Sequence, residues 1–198
     1  MRSRRPITSH RLLALLSAIV IGVSLSACAV GSKPAHPAEG QEDGTASSGF
    51  YVDAGRITYQ VQISRELNLY DNEDKAYVAG VCNASLTPSQ EWFGVFLWAK
   101  NQSRVPATTT GNVTITDTQG NTYYPMPFGC GGNPIAWAPQ LLRPQQTEPM
   151  QDTPASYDLA QGGLLLFKVN ASVYANRPLT LNIYAPGRRK PAQVSLDL

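Results

Sequence analysis

The chain has 198 residues, 42% of them hydrophobic, with sixteen Lys and Arg against fourteen Asp and Glu and a formal charge of +2. Four of the basic residues, Arg2, Arg4, Arg5 and Arg11, precede residue 28, so the remainder carries 12 − 14 = −2 and makes no electrostatic case for nucleic acid. The two histidines, His10 and His36, both precede the region of strand-like periodicity, which excludes Ser-His-Asp and Cys-His hydrolysis, His-ligated zinc and histidine acid–base chemistry there.

Residues 12–28 form a short apolar run after those four arginines and end in small residues, the pattern of a secretory signal. The run is interrupted by Ser17, Gly22 and Ser24 and is shorter than the about 20 apolar residues that span a bilayer, which argues against an uncleaved membrane helix. Its last four residues, Leu25-Ser26-Ala27-Cys28, resemble the lipobox of bacterial lipoproteins. That resemblance implies cleavage after Ala27 and a thioether-linked diacylglycerol on Cys28. An ordinary signal cut without lipid is the alternative. Ser3-Arg4-Arg5 weakly suggests twin-arginine export, and the following Pro6-Ile7-Thr8 matches it poorly. The expected organisation is a signal over 1–27, a lipidated flexible tether over 28–50 and one folded domain over 51–198. Apart from Val30 and Phe50, residues 29–50 offer no sizeable apolar side chain to bury, and a coil of this length has a root-mean-square span of about 25 Å.

Strand patterns follow. Arg56–Leu67 alternates, with Ile57, Tyr59, Val61 and Ile63 on one face and Thr58, Gln60, Gln62 and Ser64 on the other. Lys75–Cys82 is a weaker strand candidate. Glu91–Lys100 puts Phe93, Val95, Leu97 and Ala99 on one face and Trp92, Phe96 and Trp98 on the other. Apolar residues on both faces suggest a central strand or one covered by a loop. Val113–Asp117 and Thr122–Met126 flank a Gly-containing turn, a hairpin signal. Leu164–Val169, Leu179–Tyr184 and Gln193–Leu198 complete the set, with a Pro-Gly turn before the last. Seven to eight short strands separated by turns predict an all-β antiparallel sandwich. Residues 127–162 break the pattern with six prolines and scattered aromatics, and long irregular connections are often functional or disordered.

Several segments together are similar to a known family: Tyr59-Gln60-Val61-Gln62-Ile63-Ser64, Glu91-Trp92-Phe93-Gly94-Val95-Phe96-Leu97, Asp117-Thr118-Gln119-Gly120-Asn121-Thr122-Tyr123, Asn133-Pro134, Gly162-Gly163-Leu164-Leu165-Leu166-Phe167-Lys168 and Asn176-Arg177-Pro178-Leu179-Thr180-Leu181. They resemble actinobacterial secreted lipoproteins with an immunoglobulin-like domain of unknown function, a fold family that includes small immunogenic antigens exported by mycobacteria. The resemblance covers roughly residues 51–198 and implies an immunoglobulin-like sandwich. Its motifs are strands and turns, so it brings no catalytic residue.

With Cys28 assigned to lipid, Cys82 and Cys130 remain, and two exported thiols are expected to form a disulfide. Two separate buried thiols are the alternative. Asp71, Glu73 and Asp74 form the densest oxygen cluster, a weak calcium candidate without an EF-hand pattern; a solvated acidic turn is the plainer reading. Phe128, Ile135 and Trp137 are candidates for a partner-binding surface, or fold back to cap the open end of the sandwich. Arg188-Arg189-Lys190 lies in the last turn, either solvated or near anionic lipid.

The expectation is a lipid-anchored lipoprotein on the extracytoplasmic side of the cell membrane. It acts as a non-enzymatic domain, without cofactor, that binds a protein, peptide or glycan. A structural subunit of an envelope complex is the alternative. A hydrolase built on Glu66, Asp71, Glu73, Asp74 and Glu91 is a third, and it requires two carboxylates facing each other across a cleft.

Overall fold

A computed structural model describes residues 45–47 and 49–196. The expected signal, Cys28 and the tether up to residue 44 lie outside the described residues. In chain order the elements are β1 (Thr45–Ser47), β2 (Tyr51–Ala54), β3 (Ile57–Leu67), α1 (Asn72–Val78), β4 (Gln90–Asn101), β5 (Ala107–Thr108), β6 (Val113–Thr116), β7 (Thr122–Tyr123), β8 (Leu141–Leu142), β9 (Thr147–Glu148), α2 (Pro154–Tyr157), β10 (Gly163–Asn170), β11 (Leu179–Ile183) and β12 (Ala192–Leu196).

One sheet has the order β10-β4-β3-β2, with β9 added to β4; the other has the order β1-β12-β11-β6-β7. Pairing is antiparallel except where β1 runs parallel to β12. A separate ladder joins β5 to β8. The strand sequences are rich in β-branched and aromatic residues that suit a half-buried pleat. Their inward residues meet between the sheets: Tyr59, Val61, Val95 and Leu97 from one, Ile115, Leu181, Ile183 and Val194 from the other. The all-β antiparallel sandwich expected from the sequence is therefore the fold, and seven of its strands are four residues or longer.

The register of β3 against β4 shifts between Val61 and Ile63, so Gln62 is a bulge residue. An extra residue inverts the facing of everything after it. Ile57, Tyr59 and Val61 face the core as expected. Ile63 does not: it is 38% exposed, and Arg65 and Leu67 follow it to the outer face. That outer face carries a second apolar layer of Leu67, Trp92, Phe96, Leu164 and Leu166, covered by Tyr77 and Val78 of α1 and by Ile135 and Ala155. The two apolar faces of β4 thus serve two layers.

Two expectations are corrected here. Lys75–Cys82 is not a strand: Asn72–Val78 is helical, because Asp71 caps it, its side chain accepting from the backbone N–H groups of Glu73 and Asp74. The tether also ends earlier than residue 50, since Thr45–Ser47 pair with Gln193–Ser195. That pairing needs only backbone groups, so hydropathy gives no sign of it.

Candidate functional site

The connection between β7 and β10 runs along the edge of β10, where Met126, Ile135 and Trp137 exchange backbone hydrogen bonds with Leu164 and Leu166. It sends Trp137 into the core between the sheets and Ile135 onto the outer layer, and it is fastened at several further points. Cys82 and Cys130 are joined as a disulfide with Cα atoms 5.1 Å apart. Beside them the Cys130 N–H donates to the Gly80 carbonyl at 2.9 Å. A Cβ at Gly80 would fall 2.5 Å from the carbonyl oxygen of Gly132, and its φ is +85°, so both space and backbone require glycine there. The Asn133 side-chain amide donates to the carbonyls of Ala76, Tyr77 and Ala79 at 3.0, 3.1 and 3.2 Å. The Ala76 carbonyl also accepts from the Ala79 N–H, so the amide both completes and ties down the end of α1 from a distant segment.

The three candidate binding residues do not form one exposed surface. Trp137 is 8% exposed, its indole N–H donates to the Thr110 carbonyl at 2.8 Å, and its ring leans on Tyr59 with centroids 6.2 Å apart. A Cβ at Gly163 would lie 2.8 Å from Trp137 Cε3, so the ring packs directly on the β10 backbone. Ile135 is buried in the outer layer. Trp137 and Ile135 are thus cap residues and not exposed anchors. Burial outcompetes exposure because each covers apolar surface: Trp137 closes the core between the sheets beside Tyr59, and Ile135 covers the outer layer. Phe128 is half-buried, packed against the outer layer on one side and open on the other.

Two clefts flank residues 134–139. One, of about 470 Å³, runs between Met126, Pro127 and Phe128 on one wall and Trp137 and Pro139 on the other, with Leu165 among its lining. Its walls are mostly apolar and partly rigid proline. The other, of about 230 Å³, lies between Pro134, Trp137, Pro149 and Met150 and has Glu148 in its wall. Glu148 is 3% exposed and its Oε2 has no hydrogen-bond partner. Burial pushes its carboxyl up to about 7, against the lowering effect of hydrogen bonds from Thr109, Gln140 and the Ala138 backbone. The sequence offers no sign of this residue: a lone Glu between Thr147 and Pro149 reads as a loop acid.

The calcium candidate is corrected. Asp71 is a helix cap, Glu73 accepts the Tyr77 hydroxyl at 2.6 Å, and Asp74 is buried under Arg65. The Arg65 guanidinium grips Asp74 at both oxygens, at 2.9 and 2.5 Å, and the Asn68 N–H donates to the same carboxylate at 2.6 Å. The three carboxylates are therefore engaged separately by protein donors. Among the described residues no three His, Cys, Asp or Glu converge as a metal site. Burial alone would raise the Asp74 carboxyl, but the Arg65 and Asn68 hydrogen bonds outweigh it and hold it below the usual carboxylate range.

Of the remaining acids, Glu66 on β3 and Glu91 on β4 are close enough to interact. Burial, and then the charge of Glu66, raises the Glu91 carboxyl, and the Tyr174 hydroxyl donates to Glu66. They sit on adjacent strands of one sheet, side by side and not opposed across a cleft. No helix among the described residues is long and apolar enough to cross a membrane.

No family model and no curated protein matches the chain. It is similar to solved bacterial proteins at very low identity. The yjhA protein of Bacillus subtilis is 10% identical, with 77% of this chain and 99% of that one covered at a TM-score of 0.46. A Bacillus subtilis protein described as a putative lipoprotein, ycdA, is 13% identical over 77% of this chain and 38% of its own, also at 0.46. An uncharacterized β-sandwich protein of Clostridium difficile is 10% identical over 77% of this chain and 93% of its own, at 0.40. Likenesses this weak assign no role.

Proposed function

We propose that this chain is a lipid-anchored extracytoplasmic lipoprotein of the actinobacterial type it resembles, whose domain binds a protein, peptide or glycan and performs no reaction. The observation that supports it most is the cleft between Met126–Phe128 and Trp137–Pro139. Its walls are held by the disulfide, by Asn133 and by the Trp137 indole, so little ordering entropy is lost when a partner enters. Phe128 offers an aromatic face there, and aromatic side chains carry much of the energy of interfaces. Assembly through a sheet edge is the weaker reading. The edge strands β1, β7 and β2 have three, two and four residues, and the outer side of the eight-residue edge strand β10 is already engaged by Met126, Ile135 and Trp137 through backbone hydrogen bonds, so no long bare edge is left for strong strand addition.

The test is a photo-crosslinking residue at position 128 in intact cells, compared with one at the remote exposed position Tyr70. Reproducible capture from 128 alone supports the cleft. Equal capture from both positions counts against it. Phe128→Ser is expected to lower affinity for the captured species at least tenfold, while Cys28→Ala releases the protein from membranes or blocks its processing.

A further inference from the structure

The strand register sorts the charges of this near-neutral domain into two ends. Ile57 opposes Asn101 and Leu67 opposes Trp92, so the β2–β3 turn and the loop after β4 share one end. Ile183 opposes both Val113 and Ala192, and a cleft of about 480 Å³ is lined jointly by Arg56, Pro106, Leu141 and Arg188, which brings the β11–β12 turn to that same end. Six exposed cations collect there: Arg56, Arg104, Arg143, Arg188, Arg189 and Lys190. Leu141 and Val105 stand among them, 64% and 46% exposed. The opposite end carries Glu66, Asp71, Glu73, Asp74 and Glu91 against Arg65, Lys75, Lys168 and Arg177. Composition hides this segregation because the charges of the whole chain nearly cancel.

The chain enters at the basic end. β1 runs parallel to β12 with Thr45 opposite Gln193, three residues after Lys190. From Cys28 to Thr45 there are 44 − 28 = 16 intervening residues, which span at most about 60 Å. Resting on the lipid anchor proposed above, we infer that the end formed by Arg56, Arg104, Arg143 and the Arg188–Lys190 turn docks on the anionic phospholipid surface that holds the anchor. Cations interleaved with exposed Leu and Val are the combination that settles at a headgroup boundary. Acids oppose it incompletely. Asp53 and the buried Glu148 lie toward this end, and Glu39, Glu42 and Asp43 precede Thr45 in sequence. With Lys100 added to the six cations the described residues of this end carry 7 − 2 = +5, and the segment between Cys28 and Thr45 adds Lys33 against those three acids, 1 − 3 = −2. The acidic end, and the cleft at Phe128 on the side of the sandwich, are then left for partners.

The test uses the mature full chain purified from membranes and reconstituted on vesicles of phosphatidylcholine alone or of equimolar phosphatidylcholine and phosphatidylglycerol. Flotation reports the anchor, and hydrogen exchange over residues 104–106, 141–143 and 186–190 reports the docked end. Expected are flotation with both vesicles and exchange slowed several-fold only with phosphatidylglycerol. Molar salt and the triple variant R188E/R189E/K190E should abolish that slowing, with β4 exchange unchanged. Flotation with both vesicles and identical exchange overturns the docking and leaves the anchor standing. Flotation with phosphatidylglycerol vesicles alone overturns the anchor and supports the basic end as the membrane contact. Failure to float with either overturns both. Slowing by soluble poly(glycerol phosphate) but not by the anionic vesicles overturns the membrane and assigns this end to an anionic wall polymer.

Discussion

The Trp137 indole N–H donates to the main-chain carbonyl of Thr110 at 2.8 Å inside the protein. The Thr110 N–H in turn donates to the Tyr59 hydroxyl oxygen at 2.9 Å. Both main-chain groups of Thr110, which belongs to no strand, are thus satisfied by aromatic side chains at depth. An unpaired buried peptide group is costly, so the pair fixes where this connection crosses the core.

Trp137→Ala should therefore lower stability by about 3–5 kcal/mol, the range for large aromatic truncation. Trp137→Phe keeps most of the ring but orphans the Thr110 carbonyl, which costs about 1–3 kcal/mol. Urea unfolding of both variants measures this. A Trp137→Ala protein within about 1 kcal/mol of the parent would show that the indole is not a structural cap.

The disulfide closes a loop of sequence separation 48, for which chain entropy alone gives about 4 kcal/mol. Cys82→Ser with Cys130→Ser should lose about 2–4 kcal/mol, and proteolysis should begin within residues 124–134, where the bridge and Asn133 act together. Titration of the unfolded, non-reduced parent over residues 45–198 should find no free thiol. Finding two would remove the bridge.

Long strands were legible because their apolar spacing is dictated by burial: β3, β4, β10, β11 and β12 all lie where alternation or continuous apolar runs place them. The second apolar layer was also legible, since Trp92 and Phe96 had to face something. What failed was long-range or local to one residue. A bulge at Gln62 has no signature in alternation until it has already inverted Ile63. The strand-like Tyr77, Val78 and Val81 pattern yields to a helix because Asp71 and Asp74 act on the backbone, not through periodicity. Asp74 looks exposed in sequence and is buried, and the sequence left open whether Trp137 is an exposed anchor or a cap, since their partners Arg65 and Thr110 lie 9 and 27 residues away. The charge segregation needs the register and is invisible to net charge.

Arg65 and Asp74 predict a specific acid limb. The folded Asp74 carboxyl lies below its unfolded value of 3.8, so its stabilisation is present above about pH 4 and is lost as pH falls through the lowered value. Arg65→Met leaves Asp74 buried without its cation. The cost should be about 2–3 kcal/mol at pH 7, below that of a fully buried pair because the Arg65 side chain is 36% exposed. In Asp74→Asn the slope of stability below pH 4 should flatten. A parent-like slope in Asp74→Asn would place the acid sensitivity elsewhere.

Glu148 predicts the opposite slope at higher pH. Its folded carboxyl is raised to about 7 from 4.5, and burial is the chief cause. The folded state therefore holds a proton that the unfolded chain releases. That stabilisation is fully present below about pH 4.5 and is lost as pH rises through 7. A shift of this size corresponds to about 3 kcal/mol between the two limits. Above pH 7 the charged Glu148 keeps an Oε2 with no donor, so the folded protein tolerates the charge at a cost. Glu148→Gln carries no charge at any pH. It should be more stable than the parent at pH 8, about equal to it or weaker at pH 5, and nearly free of pH dependence between those values. Chemical unfolding at pH 5, 6, 7 and 8 reads this directly. The parent curve should fall across that range while the variant stays level. Parallel curves for parent and variant would mean that Glu148 is ionised throughout and is solvated from the cleft beside Pro149 and Met150.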